Sequence, residues 1–221
     1  MSAEGKQRSG WRVASATFEL SAPSLEHCPP PTLPEVAVAG RSNVGKSSLL
    51  NAFAGQRALA RVSRTPGRTR LLNFFKVVLR HPRFGDRVLR WVDLPGYGYA
   101  AAHASVREAF GPMIESYLQE RVVLVELMVL IDVRRGAGDQ DRQLLEYAAA
   151  RDLPVRIVGT KADKLSKSER GVVGRKIANA LELPTSALAL TSASKGLGLG
   201  DEGRGRGLTR LLAERIENAS C

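Results

Sequence analysis

The stretch VAVAGRSNVGKSSLLNAF (residues 36–53) decides the fold. Val36 to Gly40 is an unbroken run of small and β-branched residues, the pattern of a strand buried on both faces of a parallel sheet. From Lys46 to Ala54 the apolar spacing is helical and stops at Gly55. Between them Gly40, Arg41, Ser42, Asn43, Val44, Gly45, Lys46 and Ser47 read G-x-x-x-x-G-K-S. The two glycines let the backbone curl until successive N–H groups face one point, at the positive end of the following helix. That is a cradle for phosphate oxygens. Lys46 reaches the β- and γ-phosphates and the Ser47 hydroxyl ligates Mg²⁺. Ser48 joins residues 40–47 as a nucleotide contact.

Further along, LLNFFKVVLR (71–80) and RVLRWVDLPG (87–96) read as two strands joined by a turn around Pro82–Asp86, close enough to pair antiparallel. The second ends in Asp93, Leu94, Pro95 and Gly96. This segment brings a carboxylate to the metal side and a Gly96 N–H to the γ-phosphate. A helix over 105–121, a strand ending at LMVLIDV (127–133) and a helix over 139–152 follow. Beyond them lie a strand at PVRIVG, a helix over 166–183, a strand at ALAL and a closing helix from Leu208. Strand alternating with helix predicts an α/β, three-layer, doubly wound fold. The sheet is expected to be mainly parallel and six-stranded, with one antiparallel edge strand. Residues 1–34 read as an N-terminal extension with a mobile first ten residues, and 35–221 as the nucleotide domain. GLGLGDEGRGRG (196–207) reads as flexible.

Two later strand ends name the base. Thr160, Lys161, Ala162 and Asp163 follow VRIVG, and Thr191, Ser192 and Ala193 follow ALAL. In a doubly wound sheet both lie at the carboxyl edge, where ligands bind. One carboxylate, Asp163, accepts from both the N1–H and the 2-amino group of guanine, whereas adenine offers it a bare lone pair. Lys161 lays its stem along the base, and backbone N–H groups of residues 192–194 face the guanine O6. GTP and GDP are the expected ligands.

Composition narrows the partners. Of 221 residues 43% are hydrophobic, enough for a sizeable core, and the formal net charge is +11. Such an excess points to a polyanion, nucleic acid ahead of membrane. Cys28 and Cys221 stand apart from His27, His81 and His103 without metal-ligand spacing, so reduced thiols are expected. The start MSAEGKQRSG has no apolar signal core, and VVLVELMVLIDV (122–133) carries Glu126. These features predict a soluble, cytoplasmic, monomeric chain with no membrane span.

The motifs GRSNVGKSSLLNAF (40–53), TPGRTR (65–70), DLPGYGYA (93–100), TKADK (160–164) and TSASKGLG (191–198) together resemble the EngB family (also called YihA or YsxC), of the translation-factor class of GTPases. The resemblance covers about residues 14–216. It implies a GTP-hydrolysing switch in large ribosomal subunit assembly, through which cell division and septation are supported, with the large subunit or its rRNA as partner. It also implies that Gly67, Arg68 and Thr69 contact nucleotide, with Thr69 completing the Mg²⁺ shell; Thr65, four residues earlier, competes for that role. Lys46, Thr69 and Asn43 are the implied catalytic residues, Asn43 because related GTPases with this asparagine use K⁺ as a counter-charge. Tyr97 stands where Ras-like enzymes carry a water-orienting glutamine, which predicts slow unaided hydrolysis. Arg57, Arg61, Arg64, Arg68 and Arg70 lie in the expected switch loop, so GTP-dependent ordering of 57–70 and 93–104 couples nucleotide to RNA phosphates. Residues 198–207 form an apparent insertion relative to the family. A second reading is an RNA-binding assembly module with a largely structural guanine-nucleotide site. No aromatic stripe for base stacking is visible.

Overall fold

A computed structural model describes residues 10–60, 71–97, 112–201 and 207–219. The strands are β1 (Arg12–Ala22), β2 (Glu35–Gly40), β3 (Leu72–His81), β4 (Gly85–Asp93), β5 (Leu124–Asp132), β6 (Val155–Thr160) and β7 (Leu188–Leu190). The helices among the described residues are α1 (Lys46–Phe53), α2 (Pro112–Glu120), α3 (Asp139–Ala149), α4 (Lys167–Ala180) and α5 (Leu208–Ala219).

The strands form one sheet in the order β1-β3-β4-β2-β5-β6-β7. Strands β4, β2, β5, β6 and β7 pair parallel, while β3 pairs antiparallel with both β4 and β1. The α/β doubly wound architecture is as expected, but among the described residues the sheet has seven strands rather than six. The antiparallel strand β3 is therefore one in from the edge, and β1, out of the N-terminal segment, is the edge strand. Its register is irregular between Val13 and Ser15 and again between Phe18 and Leu20. Such bulges shift the side-chain alternation, so no clean period of two survives in RVASATFELSA.

The pleat of β2 divides the core. Val36 and Val38 face α1 and α5, packing with Leu49, Leu50, Phe53, Trp91, Leu208 and Leu212. Ala37 and Ala39 face the other layer, with Val92, Ile114, Tyr117, Leu144 and Ile177. Phe53 rests on Trp91 with ring centroids 5.3 Å apart, which fixes α1 against the sheet and with it the loop that opens α1.

A buried ion network closes the end of the sheet away from that loop. Glu35, 0% exposed, accepts from Arg121 Nε at 2.9 Å, Arg121 Nη2 at 2.7 Å and the Tyr117 hydroxyl at 3.0 Å. Arg121 also donates to Pro29 O and Arg90 to Pro30 O, so the extended proline segment is held against the strands. Removing one partner would leave a buried charge uncompensated, at about 3–5 kcal/mol. The glycine-rich stretch also departs from expectation: Leu199 is buried, Gly198 O accepts from Leu208 N at 2.9 Å, and Asp201 accepts from Trp11 N at 3.0 Å. Residues 198–201 are tied down; 202–206 lie outside the described residues.

Candidate functional site

The carboxyl ends of β2, β4, β5, β6 and β7 converge, and each strand-end segment is pinned to its neighbour. The β2–α1 loop turns at Gly45, whose φ of +115° lies where a side chain is strained. Asn43 is also left-handed, at φ +62°, a conformation its short amide tolerates. Val44 is buried, and its carbonyl accepts from the Thr160 hydroxyl at 2.8 Å. Lys46, Ser47 and Ser48 occupy the first turn of α1.

The Asp93–Gly96 segment zips onto that loop through its backbone. Leu94 N donates to Val38 O at 3.0 Å, and Ser42 N donates to Tyr97 O at 2.8 Å. Gly96 lies so close that a Cβ there would sit 3.0 Å from both Lys46 Nζ and Ser42 Oγ. Pro95 is half-buried and Leu94 is packed in the core.

Lys46 and Asp93 face each other across this junction, and their surroundings press both toward neutrality. Burial pushes Asp93 up to about 6, with Lys46 working against the rise. Burial likewise pulls Lys46 down, with Asp93 opposing. Asp93 Oδ1 is a buried oxygen with no hydrogen-bond partner among the described residues. An orphaned acceptor facing Lys46, with the Ser47 hydroxyl one residue on in the first turn of α1, fits a hard divalent cation that prefers oxygen ligands. Among the described residues no cluster of three His, Cys, Asp or Glu could hold a metal by itself. The donor set therefore suits a cation that takes most of its shell from phosphate and water.

The base side is equally well held. Ala162 N donates to Thr191 O at 3.0 Å, and Thr191 N to Gly159 O at 2.7 Å. The Ser192 hydroxyl donates to Asp163 Oδ1 at 2.6 Å, and that bond, with Lys164 nearby, holds the Asp163 carboxyl below its usual range. Lys161 runs from this corner back to the phosphate loop: its Nζ donates to Asn43 O at 2.9 Å and lies 3.0 Å from Asp132 Oδ2. Ala193 follows Ser192 and is half-buried.

The structure thus brings together Gly40–Ser48, Asp93–Gly96, Thr160–Asp163 and Thr191–Ala193 at one edge of the sheet. Thr65, Gly67, Arg68 and Thr69, with Arg61, Arg64 and Arg70, lie outside the described residues. Arg57 is exposed.

Two site residues escape the sequence reading. Asp132, at the end of β5, is partly desolvated, yet hydrogen bonds from Arg134 and Lys161 hold it well below the usual carboxylate range. An acid ending an apolar strand was its one visible signal. Asp141, in the first turn of α3, accepts from the Tyr97 hydroxyl at 2.5 Å and from Gly138 N at 2.8 Å. Tyr97 is 2% exposed, so its phenol is turned inward onto α3, where Asp141 accepts its hydrogen bond.

Comparison with known proteins agrees with this geometry. Residues 35–161 match the family model described as 50S ribosome-binding GTPase. The chain is 42% identical to a GTP-binding protein EngB of Geobacter sulfurreducens, over 94% of this chain and 95% of that one. It is 46% identical to the EngB of Pelobacter propionicus, over 82% and 86% respectively. Among solved structures, Aquifex aeolicus Era bound to GDP and aluminium fluoride superposes with a TM-score of 0.60 at 22% identity, covering 83% of this chain and 56% of Era. Era in complex with a magnesium-bound GTP analogue and nucleotides 1506–1542 of 16S ribosomal RNA gives 0.59 at 24%, over 83% and 56%. An EngB crystal structure gives 0.52 at 20%, over 83% and 97%. The structures share the fold; the sequence relatives and the family model together establish the chain as a member of the EngB family of GTP-binding, GTP-hydrolysing proteins.

Proposed function

We propose that the chain is a GTP-operated switch in the assembly of the large ribosomal subunit, acting in the cytoplasm and supporting cell division through that role. The observation that carries the nucleotide part is the convergence of the phosphate loop, the Asp93–Gly96 segment and the Asp163–Ser192 pair at one sheet edge. The ribosomal part draws on the family description, on the rRNA-bound relative of the same fold, and on the net charge of +11.

In this reading residues 40–48 receive the phosphates and Lys46 spans the β- and γ-oxygens. Gly67 and Arg68, outside the described residues, would add nucleotide contacts. Thr160–Asp163 and Thr191–Ala193 take the base; because the Ser192 N–H is committed to Leu197 O, the O6 donor is the Ala193 N–H. Ser47, Thr69 and the nearby Asp93 would hold Mg²⁺, which when bound would help neutralise charge developing on the phosphate oxygens. Water attacks the γ-phosphorus as the bond to the β-bridging oxygen breaks, and Lys46 stabilises the charge left on that oxygen. With the Tyr97 phenol engaged by Asp141, no side chain at that position orients the water, so turnover is slow until a partner supplies help. Asn43 makes K⁺ the candidate second cation; equal hydrolysis rates in KCl and NaCl would remove it.

The test is co-sedimentation with ribosomal subunits in GDP and in a non-hydrolysable GTP analogue. Greater recovery with the large subunit in the analogue is expected. Equal recovery in both states would sink the switch and favour the second reading, an assembly module with a structural nucleotide site, which the inward Tyr97 also suits.

A further inference from the structure

At the opposite end of the sheet from the nucleotide site, the turn between β3 and β4 carries an aromatic and cationic cluster. Phe84 sits at the tip and is 52% exposed. Its ring lies 4.5 Å from His81 and 6.5 Å, stacked, from Trp11, which is only 6% exposed. One face of the Phe84 ring is therefore backed by a solid support while the residue remains open to solvent. The turn is fixed as well: His81 Nδ1 accepts from the N–H groups of both Arg83 and Phe84, at 3.0 and 3.2 Å. Those two bonds hold the tip in one conformation.

The surroundings are cationic. Arg83 lies against the Phe84 ring with its guanidinium carbon 5.5 Å from the centroid, and Arg87 packs on Trp11 at 5.7 Å. Arg12 and Arg80 are partners across β1 and β3. Asp86 is paired with Arg80 and Glu217 with Arg87, which leaves Arg83 and Arg12 outside any ion pair among the described residues. The exposed ring, with Arg83 against it and Arg12 in no ion pair among the described residues though its charge is felt by Asp86, has the composition of a single-stranded nucleic-acid platform: the ring offers a stacking surface and each guanidinium a phosphate contact. A protein partner would equally use the ring, but the local excess of arginine favours a polyanion.

We infer that the β3–β4 tip, Phe84 with Arg83 and Arg12, is a docking site for an unpaired stretch of RNA, one base stacking on Phe84. The site rests on the ribosomal reading above and deepens it by naming a surface. It lies about 30 Å from Asp93 along β4, with no described switch segment between, so it binds in both nucleotide states. It is a constant anchor, distinct from the GTP-dependent contact of the switch loop.

The test uses fluorescence anisotropy with the full chain and a labelled, unstructured RNA of about twelve nucleotides, in GDP and in a GTP analogue. Phe84→Ala should weaken binding by about tenfold, the loss of one stacked base, equally in both states. Phe84→Trp should retain it, and Arg83→Glu should weaken it with no change in GTP affinity or turnover. Those two readouts, with an unaltered melting temperature, separate lost docking from misfolding. Unchanged RNA binding by Phe84→Ala overturns the proposal, as does wild-type binding to duplex RNA as tight as to the single strand. A Phe84→Ala variant that binds the oligonucleotide normally but leaves the large subunit marks a protein-docking tip, which also overturns it. Failure of the switch reading appears separately, as wild-type co-sedimentation indifferent to nucleotide with the oligonucleotide results intact.

Discussion

Asp93→Asn should make the nucleotide-free protein more stable at neutral pH while removing its response to Mg²⁺. An aspartate ordinarily titrates near 3.8, and burial lifts this one to about 6. A group whose folded value is raised binds more protons folded than unfolded between those two values. The folded state is thus favoured below about 3.8, loses that advantage as pH rises through about 6, and carries the full penalty above it. The gap corresponds to at most about 3 kcal/mol, the ceiling applying because the residue keeps a solvent-facing side. Asparagine has no proton to lose. Any constant difference between the amide and the carboxyl, including the lone pair that Oδ1 leaves unmet, cancels when the two proteins are compared along pH.

The assay is urea unfolding of both proteins, freed of nucleotide and metal with a chelator, at intervals from about pH 4 to about pH 7.5. The variant should gain on the parent steadily up to about pH 6.5 and then level. Adding Mg²⁺ and GDP should reverse the order, because the cation gives the parent's carboxylate the counter-charge that burial denies it. A stability difference that stays flat across the pH range refutes the claim that this carboxylate is strained in the empty site. A reversal of equal size in both proteins refutes its place beside the cation.

Three further outcomes are expected. Asp163→Asn should cut GTP affinity by roughly two orders of magnitude and recover binding with xanthosine triphosphate, whose 2-oxo group accepts from the new amide; competition binding reads both, and unchanged preference would refute the role of Asp163. Gly96→Ala puts a methyl 3.0 Å from Lys46 Nζ, so GTP affinity should fall more than GDP affinity without loss of fold, measured by calorimetry and circular dichroism. Tyr97→Phe removes the donor to Asp141 and should lower stability by about 1–3 kcal/mol while leaving basal GTP turnover within about twofold; a large fall in turnover would place the phenol in the reaction.

The residues that the sequence revealed are those whose chemistry is local. Gly40–Ser47 is one contiguous turn, and Asp93–Gly96 and Thr160–Asp163 each follow their own apolar strand, so periodicity and spacing suffice. Strand β1 was hidden because its two bulges break the alternation that marks a strand. Phe84, Trp11 and His81 were hidden for a different reason: they are no stripe in the sequence, and Trp11 meets the other two only because β1 pairs with β3. The same holds for Asp141 under Tyr97 and for Arg121 on Glu35, partners 44 and 86 residues apart. Charge pairs at such separations have no signature in one chain, since any acid could answer any base until the fold chooses.

That difference also separates the two ends of the site by their energetics. Asp163 is half-buried, with its carboxyl held below the usual range and aligned by Ser192, so in the proposed reading a guanine base would meet a preset acceptor. Lys46 and Asp93 are the reverse case: burial disfavours the charged form of each, and each only partly offsets that cost for the other. A polyphosphate would favour the charged form of Lys46 and a divalent cation that of Asp93, whereas each ion alone would weigh against the charge of the other residue. Phosphate and metal are therefore favoured jointly over either one singly, and loss of the γ-phosphate weakens the hold of Lys46 and Asp93 together. In the proposed reading such a site would report on the third phosphate through the pair of buried charges, while its choice of base would stay fixed throughout.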